Sequence, residues 1–221
     1  WGDYFMSSER IKLFVKKLKS GTLGYLIRKS RLFVHKRFNF GLRWVFRFDR
    51  WHLVTFYERP YAIDIVKYAN ERPSRSSALE IGSGLGDILR RLDYISKVAL
   101  DREKEVLSAL VFITRLQNFG VNRVKVAVFD FLAEQPRGSY DLIIMCNWIH
   151  NISPMVLKEK VDSLVQSNLK IGGELVLDVV DNESYQFNHS VESLQRDLPI
   201  KIKVLGRYEY GRQVVSFTRL S

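Results

Sequence analysis

Ser77-Ala78-Leu79-Glu80-Ile81-Gly82-Ser83-Gly84-Leu85-Gly86-Asp87 runs from a short apolar segment through an acid into three glycines at alternate positions. Ile88, Leu89 and Leu92 then fall at helical spacing, so the order predicts a strand, a tight turn and the start of an amphipathic helix. Glycine accepts positive φ and lets a ligand meet the main chain where a side chain would stand in the way.

The dinucleotide fingerprint G-x-G-x-x-G is not met, because Asp87 stands in the third glycine's place and the glycine has moved forward to Gly86. Glu80 aims a carboxylate at the turn, which repels a pyrophosphate and suits a ligand carrying positive charge, such as a sulfonium with an ammonium group. With these residues, E-I-G-S-G-L-G-D resembles the first motif of the class I S-adenosylmethionine-dependent methyltransferases. An ordinary αβ turn is the plainer use of the same glycines.

Further positions extend the resemblance. Lys97-Val98-Ala99-Leu100-Asp101 predicts a second strand ending in an acid. The family likeness implies that Asp101, with Arg102 beside it, meets the ribose of the cofactor, while capping of a helix from Glu103 is its competing use. A third strand, Val124 to Val128, leads to Phe129-Asp130-Phe131, where the likeness implies an acid for the adenine amine and an apolar neighbour for the ring; a loop acid beside a core phenylalanine is the alternative. Tyr140 to Cys146 is nearly all apolar, as for a strand covered on both faces. Asn147 and His150 follow it, beyond the carboxyl end of the strand, where open αβ sheets bind ligands. The resemblance thus implies cofactor contacts from Glu80, Gly82, Ser83, Gly84, Gly86, Asp101, Arg102, Asp130, Phe131 and Asn147, with no metal, and His150 is the best-placed general base, because a neutral imidazole accepts a hydroxyl proton near pH 7. The competing use of His150 is a backbone hydrogen bond.

The helices expected around these strands are Ala62 to Asn70, with Ile63, Ile65, Val66 and Ala69 inward, then Glu103 to Phe119 stopped by Gly120, then Pro154 to Leu169. Lys170-Ile171-Gly172-Gly173 turns into a strand from Glu174 to Val180. Lys201 to Leu205 and Gln213 to Phe217, joined around Tyr210-Gly211, predict an antiparallel hairpin. The fold class expected is therefore α/β: a Rossmann-like sheet of seven strands, mostly parallel, with one antiparallel strand from the terminal hairpin and a basic helical N-terminal extension.

The net charge of +11 is concentrated in the first 60 residues, which carry 14 Lys/Arg against 4 Asp/Glu and 14 of the 28 aromatics. We therefore expect a basic, aromatic extension over 1–59 and a methyltransferase domain over 60–221. Basic amphipathic helices are predicted from Ser8 to Gly21 and from Leu23 to Phe38, and an irregular linker over 39–59. The extension is read as a packed helical arm, as a surface helix on anionic membrane through residues 8–50, or as a nucleic-acid groove, the last least favoured because no nucleic-acid motif is present. Phe48-Asp49-Arg50-Trp51-His52 with Arg59-Pro60-Tyr61 resembles a segment of methyltransferases associated with bacterial surface glycans. Met6-Ser7-Ser8 reads as a native start, and Trp1 to Phe5 are set aside.

Hydrophobic content of 46% and charged content of 27% describe a globular protein, and one cysteine excludes an internal disulfide framework. With no apolar run near the ~18 residues of a spanning helix, the expected location is the cytoplasm, with or without membrane association. The resemblance implies methyl transfer from S-adenosyl-L-methionine to a hydroxyl or amine, first of a glycan sugar or small molecule and second of RNA. Outside the enzymes, it leaves a non-catalytic cofactor-binding or scaffold domain.

Overall fold

The computed structural model describes residues 22–117, 124–195 and 198–221. The helix expected from Ser8 to Gly21 lies outside them, as do Phe119 and Gly120.

Helix α1, Thr22–Phe46, continues eight residues beyond its expected end at Phe38 and carries Gly41 without a break. Leu42 explains the continuation: it is buried with Phe48, Leu85 and the inner face of the later helix α3, Lys104–Gln117, so docking outweighs the low helix propensity of one glycine. Instead of an irregular linker, two 3-10 turns follow, Arg50–Leu53 and Phe56–Glu58. Lys36 of α1 is paired with Glu58 at 2.6 Å, and the Thr55 N–H donates to Glu58 Oε2 at 3.0 Å.

Helix α2, Pro60–Asn70, begins with proline in its first turn, where the missing N–H costs no hydrogen bond. It buries Tyr61, Ala62, Ile65 and Ala69; Ile63, expected inward, is exposed, because the buried arc follows 61, 62, 65 and 69. In α3, Val106, Leu110 and Ile113 are buried, while Leu116 near its end is exposed.

The strands are β1 Ser77–Ile81, β2 Ser96–Asp101, β3 Val124–Val128, β4 Tyr140–Met145, β5 Leu169–Val180, β6 Ile200–Arg207 and β7 Arg212–Arg219. They form one seven-stranded sheet in the order β3-β2-β1-β4-β5-β7-β6. β7 is antiparallel to both neighbours, and the remaining pairs are parallel. The expected fold class and its single reversed strand are therefore present. Helix α4, Pro154–Ser163, ends in a π turn, Leu164–Asn168, and β5 starts at Leu169 rather than Glu174. A short helix α5, Val191–Gln195, precedes β6.

Alternation within β1 sends Leu79 and Ile81 into one apolar layer with Leu157 and Val161 of α4, and Ala78 into the other with Ile65 of α2 and Leu110 of α3. Ile81 pairs with Leu100 and with Met145, so β1, β2 and β4 end level. The order reverses between β1 and β4, which opens a crevice beyond their carboxyl ends.

The helix expected after the glycine turn is reduced to a 3-10 turn, Leu89–Arg91. Side chains have taken the main-chain partners a helix would use: the Leu89 N–H donates to Glu80 Oε2 at 3.1 Å, and Arg91 donates to the Asp87 carbonyl at 2.6 Å.

Candidate functional site

Gly82, Gly84 and Gly86 have φ of +70°, +53° and +65°, the left-handed region in which a side chain is strained. The Gly86 N–H donates to the Ser83 carbonyl at 2.8 Å, which closes the turn. The turn is bound to β2 as well, because Asp101 Oδ2 accepts from the Gly84 N–H at 2.8 Å while Oδ1 accepts from the Glu103 N–H at 3.0 Å.

A cavity of about 490 Å³ opens beside this turn. Among the residues singled out in the sequence, Gly82, Asp101, Arg102, Asp130, Phe131, Asn147 and His150 line it. A second, smaller cavity of about 30 Å³ is lined by Glu80, Ser83 and Gly84, and shares Trp51, Gly82 and Asn147 with the first. Gly86, expected among the cofactor contacts, lines neither. A Cβ there would stand 2.7 Å from Leu110 Cδ1, so this glycine serves the approach of α3 to the turn.

The smaller cavity is strongly charged. Burial pushes the Glu80 carboxyl up to about 8, against the opposing Leu89 N–H and Arg59, so in the free protein it carries its proton at neutral pH. Burial would also raise Asp87, but Arg59 at 2.6 Å, Arg90 at 3.1 Å and Arg91 at 3.3 Å outweigh it and hold that carboxyl low. Asp87 thus fixes Arg59 beside the turn. Cys146 lies here too, its thiol pushed up to about 12 by burial, and it is no nucleophile at neutral pH.

Two aromatic side chains lie over the glycines. The Trp148 indole donates to the Ile81 carbonyl at 2.8 Å, and a Cβ on Gly82 would meet it at 2.2 Å. His52, from the first 3-10 turn, lies 2.8 Å from the Cβ position of Gly84, donates through Nε2 to Glu103 Oε2 at 2.8 Å, and lies against Trp51 with centroids 3.5 Å apart. Phe131 meets Trp148 edge to face at 5.1 Å. Asp130 is exposed and accepts from the Leu132 N–H at 2.9 Å.

His150 sits in the 3-10 turn Ile149–Asn151, buried, with Nδ1 unpartnered. Burial, then Arg212 and His189, lower it to about 4, so the imidazole is neutral at pH 7. The Tyr185 ring lies against it, tilted by 45° with centroids 3.9 Å apart. The Phe187 N–H donates to the His150 carbonyl at 3.2 Å, and His189 Nε2 bonds the Ile149 carbonyl at 3.1 Å, which fastens the loop after β5 to this turn.

Arg212 opens β7 and is paired with the fully buried Asp178 of β5. It also donates to Asn147 Oδ1 at 3.1 Å and to the Tyr185 hydroxyl at 3.4 Å. Asn147 has φ +72° and its N–H donates to Asp178 Oδ1 at 2.8 Å, so this cluster imposes the bend that ends β4. Sequence reading missed Trp51, Arg59, Trp148, Tyr185, Asp178 and Arg212. Arg59 stood within the quoted Arg59-Pro60-Tyr61, and Asp178 near the end of an apolar strand; Tyr185 and Arg212 carried no pattern. Among the described residues no group of three or more His, Cys, Asp or Glu side chains is placed to hold a metal ion.

No family model and no curated protein sequence matches the chain. Solved structures do. N-methyltransferase NodS from Bradyrhizobium japonicum, in complex with S-adenosyl-L-homocysteine, aligns with a TM-score of 0.61 at 16% identity over 74% of this chain and 88% of that one. The amino pentose methyltransferase CalS10 from Micromonospora echinaspora, with S-adenosylmethionine bound, aligns with a TM-score of 0.58 at 13% identity over 81% and 96%. An S-adenosylmethionine-dependent methyltransferase from Clostridium acetobutylicum gives 0.57 at 15% over 73% and 91%. At such identities the likeness is one of architecture, and the chain has the fold of the S-adenosylmethionine-dependent methyltransferases.

Proposed function

We propose that this chain is an S-adenosylmethionine-dependent methyltransferase acting in the cytoplasm on a hydroxyl or amine of a small acceptor, a sugar of a bacterial glycan in the first instance. The observation that carries the reading is the Gly82–Gly86 turn, with three positive φ values, set between Glu80 and Asp101 at the reversal point of the sheet. The residues present fit such a cofactor. Ser83 Oγ is buried without a partner in the turn, and the smaller cavity places Arg59 and Glu80 together, a pair suited to the carboxylate and ammonium of an amino acid.

When bound, the sulfonium supplies an already activated methyl group. The protein's own residues then position and deprotonate. Asp101 would hold the ribose and Phe131 with Asp130 the adenine, while Arg102, Asn147 and the turn would complete the enclosure. His150, neutral at pH 7, takes the proton of the acceptor on the cavity wall. Trp51, Trp148 and Tyr185 give that wall flat apolar faces of the kind that pack on a sugar ring. The amino pentose acceptor named for CalS10 supports the same class.

Titration calorimetry with S-adenosylhomocysteine, followed by transfer of labelled methyl groups to nucleotide-linked and lipid-linked sugars, tests the proposal. Micromolar binding that Gly84→Val abolishes, with label entering a sugar, is the expected result. Absence of binding removes the reading.

A further inference from the structure

We propose that the outward face of α1 lies on an anionic lipid surface. The helix has two faces of different use. Leu32, His35, Asn39, Leu42 and Phe46 recur at helical spacing and turn toward the domain. On the opposite side Phe33, Phe40 and Trp44 are 62%, 59% and 80% exposed, with Val34 and Val45 at 65% and 62% beside them. Five large apolar side chains exposed along more than three turns, with Arg37 among them over the Phe33 ring, make one face rather than scattered surface residues.

The charge identifies the occupant. From 22 to 48 the chain holds seven Lys/Arg and no Asp or Glu. Lys29, Lys36 and Arg43 repeat at intervals of seven, so they run along one margin of the apolar strip, with Arg31 at the other. Cations that border inserted aromatic and aliphatic groups match phosphate head groups above acyl chains. A second copy would bring a face rich in Lys and Arg against its like, and Glu58, which pairs with Lys36, offsets one of its cations. A nucleic acid would leave Val34 and Val45 without partners. Among the described residues no helix is long and apolar enough to cross a membrane, so α1 rests in the interface plane. Five residues past its end the chain reaches Trp51, half exposed and lining both cavities, which brings the lipid face close to the mouth of the site.

The test is flotation of the full chain with vesicles. Partition onto phosphatidylcholine carrying roughly 30% phosphatidylglycerol is expected to exceed that onto phosphatidylcholine alone by about tenfold, and to weaken in high salt. The triple variant Phe33→Ser/Phe40→Ser/Trp44→Ser is expected to lose most of this partition, and Arg31→Gln/Arg37→Gln a smaller share, both with an unchanged thermal melt, since all five side chains are exposed. Equal partition onto neutral and anionic vesicles overturns the proposal, as does a triple variant that floats like its parent. So does a parent that forms dimers which the triple variant abolishes, or one that holds single-stranded RNA more tightly than vesicles. Since no donor or acceptor is present, the result is independent of methyl transfer.

Discussion

The Gly84 N–H donates to Asp101 Oδ2 at 2.8 Å, and together with the Gly82 and Ser83 N–H groups, which donate to the Leu100 carbonyl at 2.8 and 3.1 Å, it joins the turn after β1 to the end of β2. The same carboxylate accepts from the Glu103 N–H, so Asp101 shapes the turn and starts α3 together. Asp101→Ala leaves both donors without an acceptor. It is expected to lower stability by ~1–3 kcal/mol and S-adenosylhomocysteine affinity by more than tenfold, read by chemical denaturation and calorimetry. Asp101→Asn, which keeps one acceptor oxygen, is expected to recover part of the stability and little of the affinity.

Glu80 is held protonated near pH 7 by burial. Its folded value of about 8 lies above the ordinary carboxylate value of 4.5, so its contribution to stability is complete below about 4.5 and lost as pH rises through about 8. Glu80→Gln is expected to flatten the fall in stability of the free protein between pH 6.5 and 8. An arriving ammonium group favours the ionised acid, so binding of S-adenosylhomocysteine at pH 7 is expected to release a proton. Calorimetry in two buffers of different ionisation enthalpy reads that release, and identical enthalpies would contradict it.

His150 and His52 are both lowered to about 4, chiefly by burial. These bases resist protonation only while folded, so their contribution is complete above the ordinary 6.5 and lost as pH falls toward 4. Denaturation midpoints are expected to drop through that window. Turnover should show no inflection from His150 between pH 6 and 8, and His150→Ala should reduce kcat by roughly 10²-fold or more with little change in cofactor affinity.

Arg212 neutralises Asp178, which has no exposure to solvent. Arg212→Met leaves that carboxylate buried and unpaired and is expected to cost about 3–5 kcal/mol. Arg212→Met/Asp178→Leu removes both charges and should regain much of it. Neither protein retains the bond to Asn147 Oδ1, so both should bind cofactor more weakly than the parent, which separates positioning of Asn147 from stability.

The strands were legible because β1, β2 and β4 are compact apolar runs beside terminal acids, and because the last two strands leave too short a connection for a parallel crossover. The acids at 80, 101 and 130 were legible for the same reason: each stands at or just beyond a strand's carboxyl end. The length of α1 was not, since Gly41 marks a stop locally and only the docking of Leu42 on α3 overrides it. The short turn at Leu89 was hidden as well, because helical spacing says nothing of a buried Glu80 that claims the Leu89 N–H. Arg212 reaches the site only through the reversed strand, whose register sets it opposite Val180, and Tyr185 through the loop after β5. No local pattern encodes such a pairing.

The indole of Trp148 roofs Gly82 while donating to the Ile81 carbonyl. The glycine floor is therefore already furnished with a flat aromatic plane from its own chain. A molecule that reaches this floor from the indole's side evicts a tenant, and the grip it achieves is the difference between its own contacts and those Trp148 gives up.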